Sequence, residues 1–144
     1  MPNRKICDVI RNQKILCADA ALSVRDAASR MAAERVGSLL IVAHGRLAGI
    51  FTERDLLNRV VAPGLDPERT RLAEVMTRDP QTIASDRPIS HALHMMYEGG
   101  FRHMPVVEDG KPLGMISIRD ALGAELTEFE SELQRRDTLT EIMI

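Results

Sequence analysis

The chain has 144 residues, 44% hydrophobic and 28% charged, the profile of a soluble globular protein with room for one compact domain but not for a catalytic domain beside a regulatory one. Its 19 basic and 21 acidic residues leave a net charge of −2 with no basic field to hold nucleic acid, and aromatics at 3% with no Trp offer no stacking platform. Apolar runs such as Leu39-Leu40-Ile41-Val42-Ala43 stop short of the roughly 18 residues of a membrane span. The first residues lack the apolar stretch of a signal peptide, and Cys7 and Cys17 are too few for a disulfide framework. These features point to a cytoplasmic protein with neither nucleic acid nor membrane as partner.

Taken in chain order, Ile15-Leu16-Cys17 reads as a short strand. Ser23 then caps a helix whose apolar residues Val24, Ala27, Ala28, Met31 and Ala32 recur at helical spacing. Ser38-Leu39-Leu40-Ile41-Val42, the turn His44-Gly45 and Leu47-Ala48-Gly49-Ile50-Phe51 form a buried hairpin. Ala62-Pro63-Gly64-Leu65-Asp66-Pro67 is an exposed linker. The same order then recurs. Gln81-Thr82-Ile83 is a strand, and Pro88 suits the first turn of a helix striped by Ile89, Ala92, Leu93, Met96 and Tyr97. A second hairpin runs through Met104-Pro105-Val106-Val107, Asp109-Gly110 and Leu113-Gly114-Met115-Ile116. Beyond it, Leu122, Leu126, Phe129 and Leu133 form a seam that suits either a short coiled coil with a second subunit or a last helix on its own core.

The recurrence is literal: a shift of 65 superposes 23–57 on 88–122 without a gap, pairing Gly45 with Gly110, Gly49 with Gly114, Arg54 with Arg119 and Asp55 with Asp120. Asp8-Val9-Ile10 matches Glu74-Val75-Met76 at a shift of 66. The organisation is therefore a first repeat over 8–61, a linker over 62–72, a second repeat over 73–124 and a helical tail over 125–144. Each repeat is too small for a comfortable core of its own, and the two are expected to share one.

Two segments carry chemistry, Gly49-Ile50-Phe51-Thr52-Glu53-Arg54-Asp55 and Gly114-Met115-Ile116-Ser117-Ile118-Arg119-Asp120. Each closes a strand and opens a helix, where backbone N–H groups and the helix dipole favour an anion. The Thr or Ser hydroxyl and the Arg guanidinium add donors for phosphate, and an Asp carboxylate can accept from both hydroxyls of a ribose. Thr52-x-x-Asp55 and Ser117-x-x-Asp120 also read as helix caps, but capping does not require Arg54 and Arg119 to match. The repetition favours a nucleotide.

With Phe101-Arg102-His103-Met104-Pro105-Val106-Val107, these segments resemble the tandem cystathionine β-synthase (CBS) domain pair, or Bateman module, in its stand-alone bacterial form, from Asp8 to about Leu122. The resemblance implies an α/β (α+β) fold of two β-α-β-β-α repeats related by pseudo-two-fold symmetry, plus a C-terminal helix. It implies clefts between the repeats for an adenosine-containing ligand: AMP, ADP, ATP, NAD or S-adenosylmethionine. By carry-over, Asp55 and Asp120 hold ribose, while Thr52, Arg54, Ser117, Arg119, Arg102 and His103 face phosphate. Adenine is expected around Cys17, Ala18, Ser38 and Leu39, or around Thr82, Ile83, Met104 and Pro105. The first repeat has Gly37, Ser38 and Leu40 where the second has Arg102, His103 and Pro105, so the cleft using Ser117, Arg119 and Asp120 is expected to bind a charged nucleotide more tightly than the one using Thr52, Arg54 and Asp55.

The competing readings are weaker. His91, His94 and Glu98 share a helical face that could hold a metal but reads more simply as a solvated surface. His103 lacks a neighbouring nucleophile or carboxylate to make it a general base, and Met31, Met95, Met96 and the cysteines read as structural. The expectation is a non-catalytic ligand-sensing module that requires no cofactor, forms a homodimer and acts on an effector protein. The alternative is a ligand-free dimerisation or docking module.

Overall fold

The computed structural model describes residues 4–120 together with 123 and 135. The tail over 125–144 and its seam of Leu122, Leu126, Phe129 and Leu133 lie outside the described residues, Arg135 apart. The elements are α1 (Ile6–Val9), β1 (Cys17–Ala18), α2 (Val24–Glu34), β2 (Ser38–Ala43), β3 (Arg46–Thr52), α3 (Glu53–Asp55), α4 (Leu72–Val75), β4 (Thr77–Arg78), α5 (Ile89–Gly99), β5 (His103–Glu108) and β6 (Lys111–Ser117). A π-helical stretch, Leu56–Val61, continues α3.

The pseudo-symmetry extends to backbone detail. β2 and β3 pair antiparallel, as do β5 and β6, with register shifts at Ile41/Val42 and Val106/Val107, positions 65 apart. Both hairpins turn through two left-handed residues, His44 (φ 54°) and Gly45 (φ 74°), then Asp109 (φ 50°) and Gly110 (φ 79°), the twist that suits a two-residue loop. Ser23 caps α2 as expected, its side chain accepting from the Asp26 N–H at 3.1 Å. Pro88 stands one position earlier than expected, at the cap of α5. Ile89, Ala92 and Met96 are buried as the stripe requires, but Tyr97 is 86% exposed.

Two expected strands differ. The first lies at Cys17–Ala18, parallel to β2, although Leu16 already accepts a bond from Leu40. The second is reduced to a single parallel bridge, Ile83 to Val106. An unexpected strand, β4, pairs with β3. Two residues have no period to read.

The shared core is also replaced, by two clusters that exchange segments. The first joins Val24, Leu39, Ile41, Phe51 and Val60 to Leu72, Val75 and Met76, from the end of the linker and just beyond it. The second joins Ile89, Met96, Met104, Val106 and Ile116 to Ile6 and Ile10, from the start of the chain. Backbone bonds fix the second exchange, with Ile6 donating to Arg87 at 3.0 Å and Ile89 to Arg4 at 2.7 Å. Each fully buried Ile or Leu in these segments is worth roughly 1.5–3 kcal/mol of apolar transfer.

The glycines leading the two motifs make room for these exchanges. A Cβ on Gly49 would lie 2.8 Å from the Thr77 carbonyl oxygen, and one on Gly114 would lie 2.8 Å from Gln13 Oε1 and 2.9 Å from Ile10 Cβ. Where β4 pairs with β3, the other half uses a side chain. The Gln13 amide accepts from the Met115 N–H at 2.6 Å and donates to its carbonyl at 2.7 Å, imitating a strand.

Candidate functional site: two crossed clefts

Thr52 Oγ1 accepts from the Asp55 N–H at 3.2 Å, while Asp55 Oδ2 accepts from the Thr52 N–H at 3.0 Å. Ser117 and Asp120 repeat the arrangement at 3.0 and 3.4 Å. Both copies thus form a capping box. A further N–H at each corner is engaged, Glu53 to the Gly37 carbonyl at 2.9 Å and Ile118 to the Arg102 carbonyl at 2.8 Å. The expected free backbone donors are largely consumed by these bonds. Donors for an anion are therefore left to side chains: the hydroxyl protons of Thr52 and Ser117 and the nearby guanidiniums.

Two clefts open beside the motifs, of about 630 and 690 Å³, within the range that holds a small-molecule ligand. Each combines both repeats. Thr52, Arg54 and Asp55 share the first with Thr77, Asp79, Gln81, Phe101, Arg102 and His103. Ser117, Arg119 and Asp120 share the second with Gln13, Lys14, Arg35, Gly37 and Ser38, and again with Arg102 and His103. Gly37 and Ser38 therefore line the cleft of the second motif, although the backbone joins them to Glu53 and Thr52 of their own. This removes the premise on which the clefts were ranked, though the cations of the second cleft support the same ranking.

The residues expected around adenine divide. Ser38 lines the second cleft, whereas Leu39 faces the first core, as alternation along a strand dictates. Met104 and Ile83 lie in the second core, Ala18 lies in the first, and Pro105 is buried. Thr82 is half-buried and Cys17 exposed; neither lines a cleft. Shielding of the Cys17 sulfur pushes its pKa up, leaving a thiol at neutral pH. Apolar walls suited to a base come instead from Ile50, Leu57, Pro80 and Phe101 in the first cleft and from Ile15, Leu16, Val36 and Met115 in the second. The sequence carried one clue to them, the pairing of Val36 with Phe101 at the shift of 65.

Electrostatics separate the clefts. In the first, Arg54 and Arg102 meet Glu53, Asp55 and Asp79. In the second, Lys14, Arg35, Arg102 and Arg119 meet Glu53 and Asp120. Burial lowers the His103 pKa below its ordinary 6.5, against the opposing pull of Glu53 and Asp120 and with a smaller push from Arg102. His103 is thus a neutral imidazole near pH 7. His91, His94 and Glu98 are exposed on α5, and no group of three metal-ligating side chains gathers among the described residues.

The CBS domain family model matches twice, over residues 6–62 and 72–127. This chain belongs to the CBS domain family. Among curated relatives of this CBS pair, the Arabidopsis thaliana CBS domain-containing protein CBSCBSPB2 is 37% identical over 131 residues, covering 90% of this chain and 24% of that protein. The mitochondrial CBSX3 of the same plant is 35% identical over 118 residues, covering 78% of this chain and 57% of CBSX3. The chain spans about a quarter of the length of the first of these. Among solved structures, a protein with CBS domains from Burkholderia ambifaria, proposed to act in signal transduction, aligns with a TM-score of 0.80 at 29% identity, covering 86% of this chain and 95% of its own. A CBS domain protein from Pyrobaculum aerophilum, complexed with AMP, aligns with a TM-score of 0.77 at 26% identity, covering 89% and 99%. Among the described residues no helix is long and apolar enough to cross a membrane.

Proposed function

We propose that this CBS pair is a non-catalytic sensor that binds an adenine nucleotide in its crossed clefts and passes occupancy to a partner through a change in how the repeats pack. The observation that carries the reading is the recurrence, in both clefts, of a hydroxyl, a guanidinium and a ribose-competent carboxylate beside apolar walls drawn from both repeats. The AMP complex of the Pyrobaculum protein supports the ligand class. Ribose hydroxyls would donate to Asp55 and Asp120, and phosphate would accept from Thr52, Ser117 and the arginines. Because residues of both repeats line each cleft, a ligand stabilises one relative position of the two. We place this function in the cytoplasm, with no required cofactor. Exposed Val61 and Tyr97 support self-association into a homodimer that acts on an effector protein, and they would serve the ligand-free docking module equally.

Calorimetric titration with AMP, ADP, ATP, NAD and S-adenosylmethionine tests the reading. At least one should bind and raise the melting temperature by mass action. Asp120→Ala should weaken ATP binding roughly tenfold or more, about 1.4 kcal/mol, and Asp55→Ala by less. A flat response to all five ligands would leave the ligand-free docking module, with light scattering to measure its dimer.

A further inference from the structure

Arg102 and His103 belong to both clefts, and nothing duplicates them. Pseudo-symmetry calls for two such walls, one per repeat, but the positions 65 residues earlier are Gly37 and Ser38, which bring no charge. The shared wall is held from both sides. The Arg102 carbonyl accepts from Ile118 of the second motif at 2.8 Å, and His103 pairs in register with Ser117. From the first motif, Glu53 lines both clefts as well. No ion pair or hydrogen bond engages the Arg102 side chain among the described residues, and the residue is exposed.

We propose that the two clefts compete for this one donor wall, the Arg102 cation and the His103 N–H, so that a phosphate-bearing ligand in either cleft weakens the binding of a second in the other. A guanidinium presents its donors in one planar fork, and turning that fork toward a phosphate in one cleft withdraws it from the other. His103 follows the same logic. It lines both clefts, and a neutral imidazole has a single N–H to give, so its donor is shared as well. Meanwhile Glu53 repels an anion on both sides. The result is negative coupling carried by charge, with no change of fold required.

The proposal rests on nucleotide binding in these clefts, and the test separates the two. ATP is titrated into the full chain, into Asp120→Asn, which keeps a cap acceptor, and into Arg102→Gln/His103→Gln; adenosine is titrated into the unaltered chain. The expected result is that the weaker of two ATP sites in the unaltered chain tightens roughly tenfold in Asp120→Asn, because the remaining cleft now owns the wall. In Arg102→Gln/His103→Gln the two sites should be weaker but independent. Adenosine, lacking phosphate, should show no coupling, a control that depends on no variant folding. Equal affinity of the weaker site with and without the second cleft overturns the coupling alone, as does coupling of the same size with adenosine. Absence of binding by both ATP and adenosine overturns the nucleotide reading and this proposal together.

Discussion

The cleft of Thr52 and Asp55 and the cleft of Ser117 and Asp120 are made from equivalent positions, yet carboxylates outnumber guanidiniums in the first and cations outnumber carboxylates in the second. The motifs do not create that difference, since each supplies one Arg and one Asp to its own cleft and Glu53 of the first lines both. It arises in the segments that lead into the strands. Asp79 and Pro80 stand where, at the shift of 66, the other half has Gln13 and Lys14, and Gly100 stands where it has Arg35. The two carboxylates also differ in freedom. Asp55 Oδ1 lies 3.6 Å from Arg59 Nε, and Arg59 donates to the carbonyls of Val75 and Met76 at 3.1 and 3.2 Å. The position matching Arg59 is Ala124, and Asp120 Oδ1 has no partner among the described residues. In the proposed sensor a repeated motif would make the same sugar contact twice, while its surroundings would tune how much phosphate charge each cleft accepts.

The largest way to probe this contrast lies behind the clefts. Gly49→Ala drives a methyl group against the Thr77 backbone carbonyl, whereas Gly114→Ala meets side chains, the amide end of Gln13 and buried Ile10. Overpacking of this kind costs about 1–3 kcal/mol, and the Gly49 variant should melt at the lower temperature. Equal losses would mean that side chain and backbone seal the two halves alike. A smaller effect is expected from exchanging the flanking charges. Lys14→Asp with Asp79→Lys should shift the preference for ATP over AMP from the second cleft toward the first, by several-fold in calorimetric affinity. An unchanged preference would return the discrimination to the motifs.

The smallest effect concerns pH. Because the folded pKa of His103 is below 6.5, the unfolded chain binds the proton more readily. This contribution to stability is therefore complete above about pH 6.5 and is lost as the pH falls through the folded value. Urea melts across that window should show a slope that His103→Gln flattens. A slope unchanged by the substitution would assign it to other groups.

Much of this architecture was legible because repetition doubles weak signals. Two hairpins, two long helices and both capping motifs follow from the 65-residue register. The exchange of Ile6 and Ile10 for Leu72 and Val75 was not legible: the matching triplets Asp8-Val9-Ile10 and Glu74-Val75-Met76 reveal kinship but say nothing of which core receives which segment. The walls of the clefts escaped for the same reason. Gly37 and Ser38 precede Thr52 by one hairpin and face Ser117 across space. Likewise β4 exists because β3 offers it an edge, a condition of tertiary structure that Thr77 and Arg78 do not announce.

The exchanged segments also set an order in time. As the chain leaves the ribosome, the first core cannot close until Leu72, Val75 and Met76 have emerged, well after Val60 and the hairpin they pack against. Ile6 and Ile10, made first, have no core to enter until β6 and its Ile116 exist. The segment carrying Ile6 and Ile10 is therefore among the last parts to find its place, and contacts of such long sequence separation slow folding. A nascent chain halted in the linker should remain open to protease at α1, and completion of β6 should close that window.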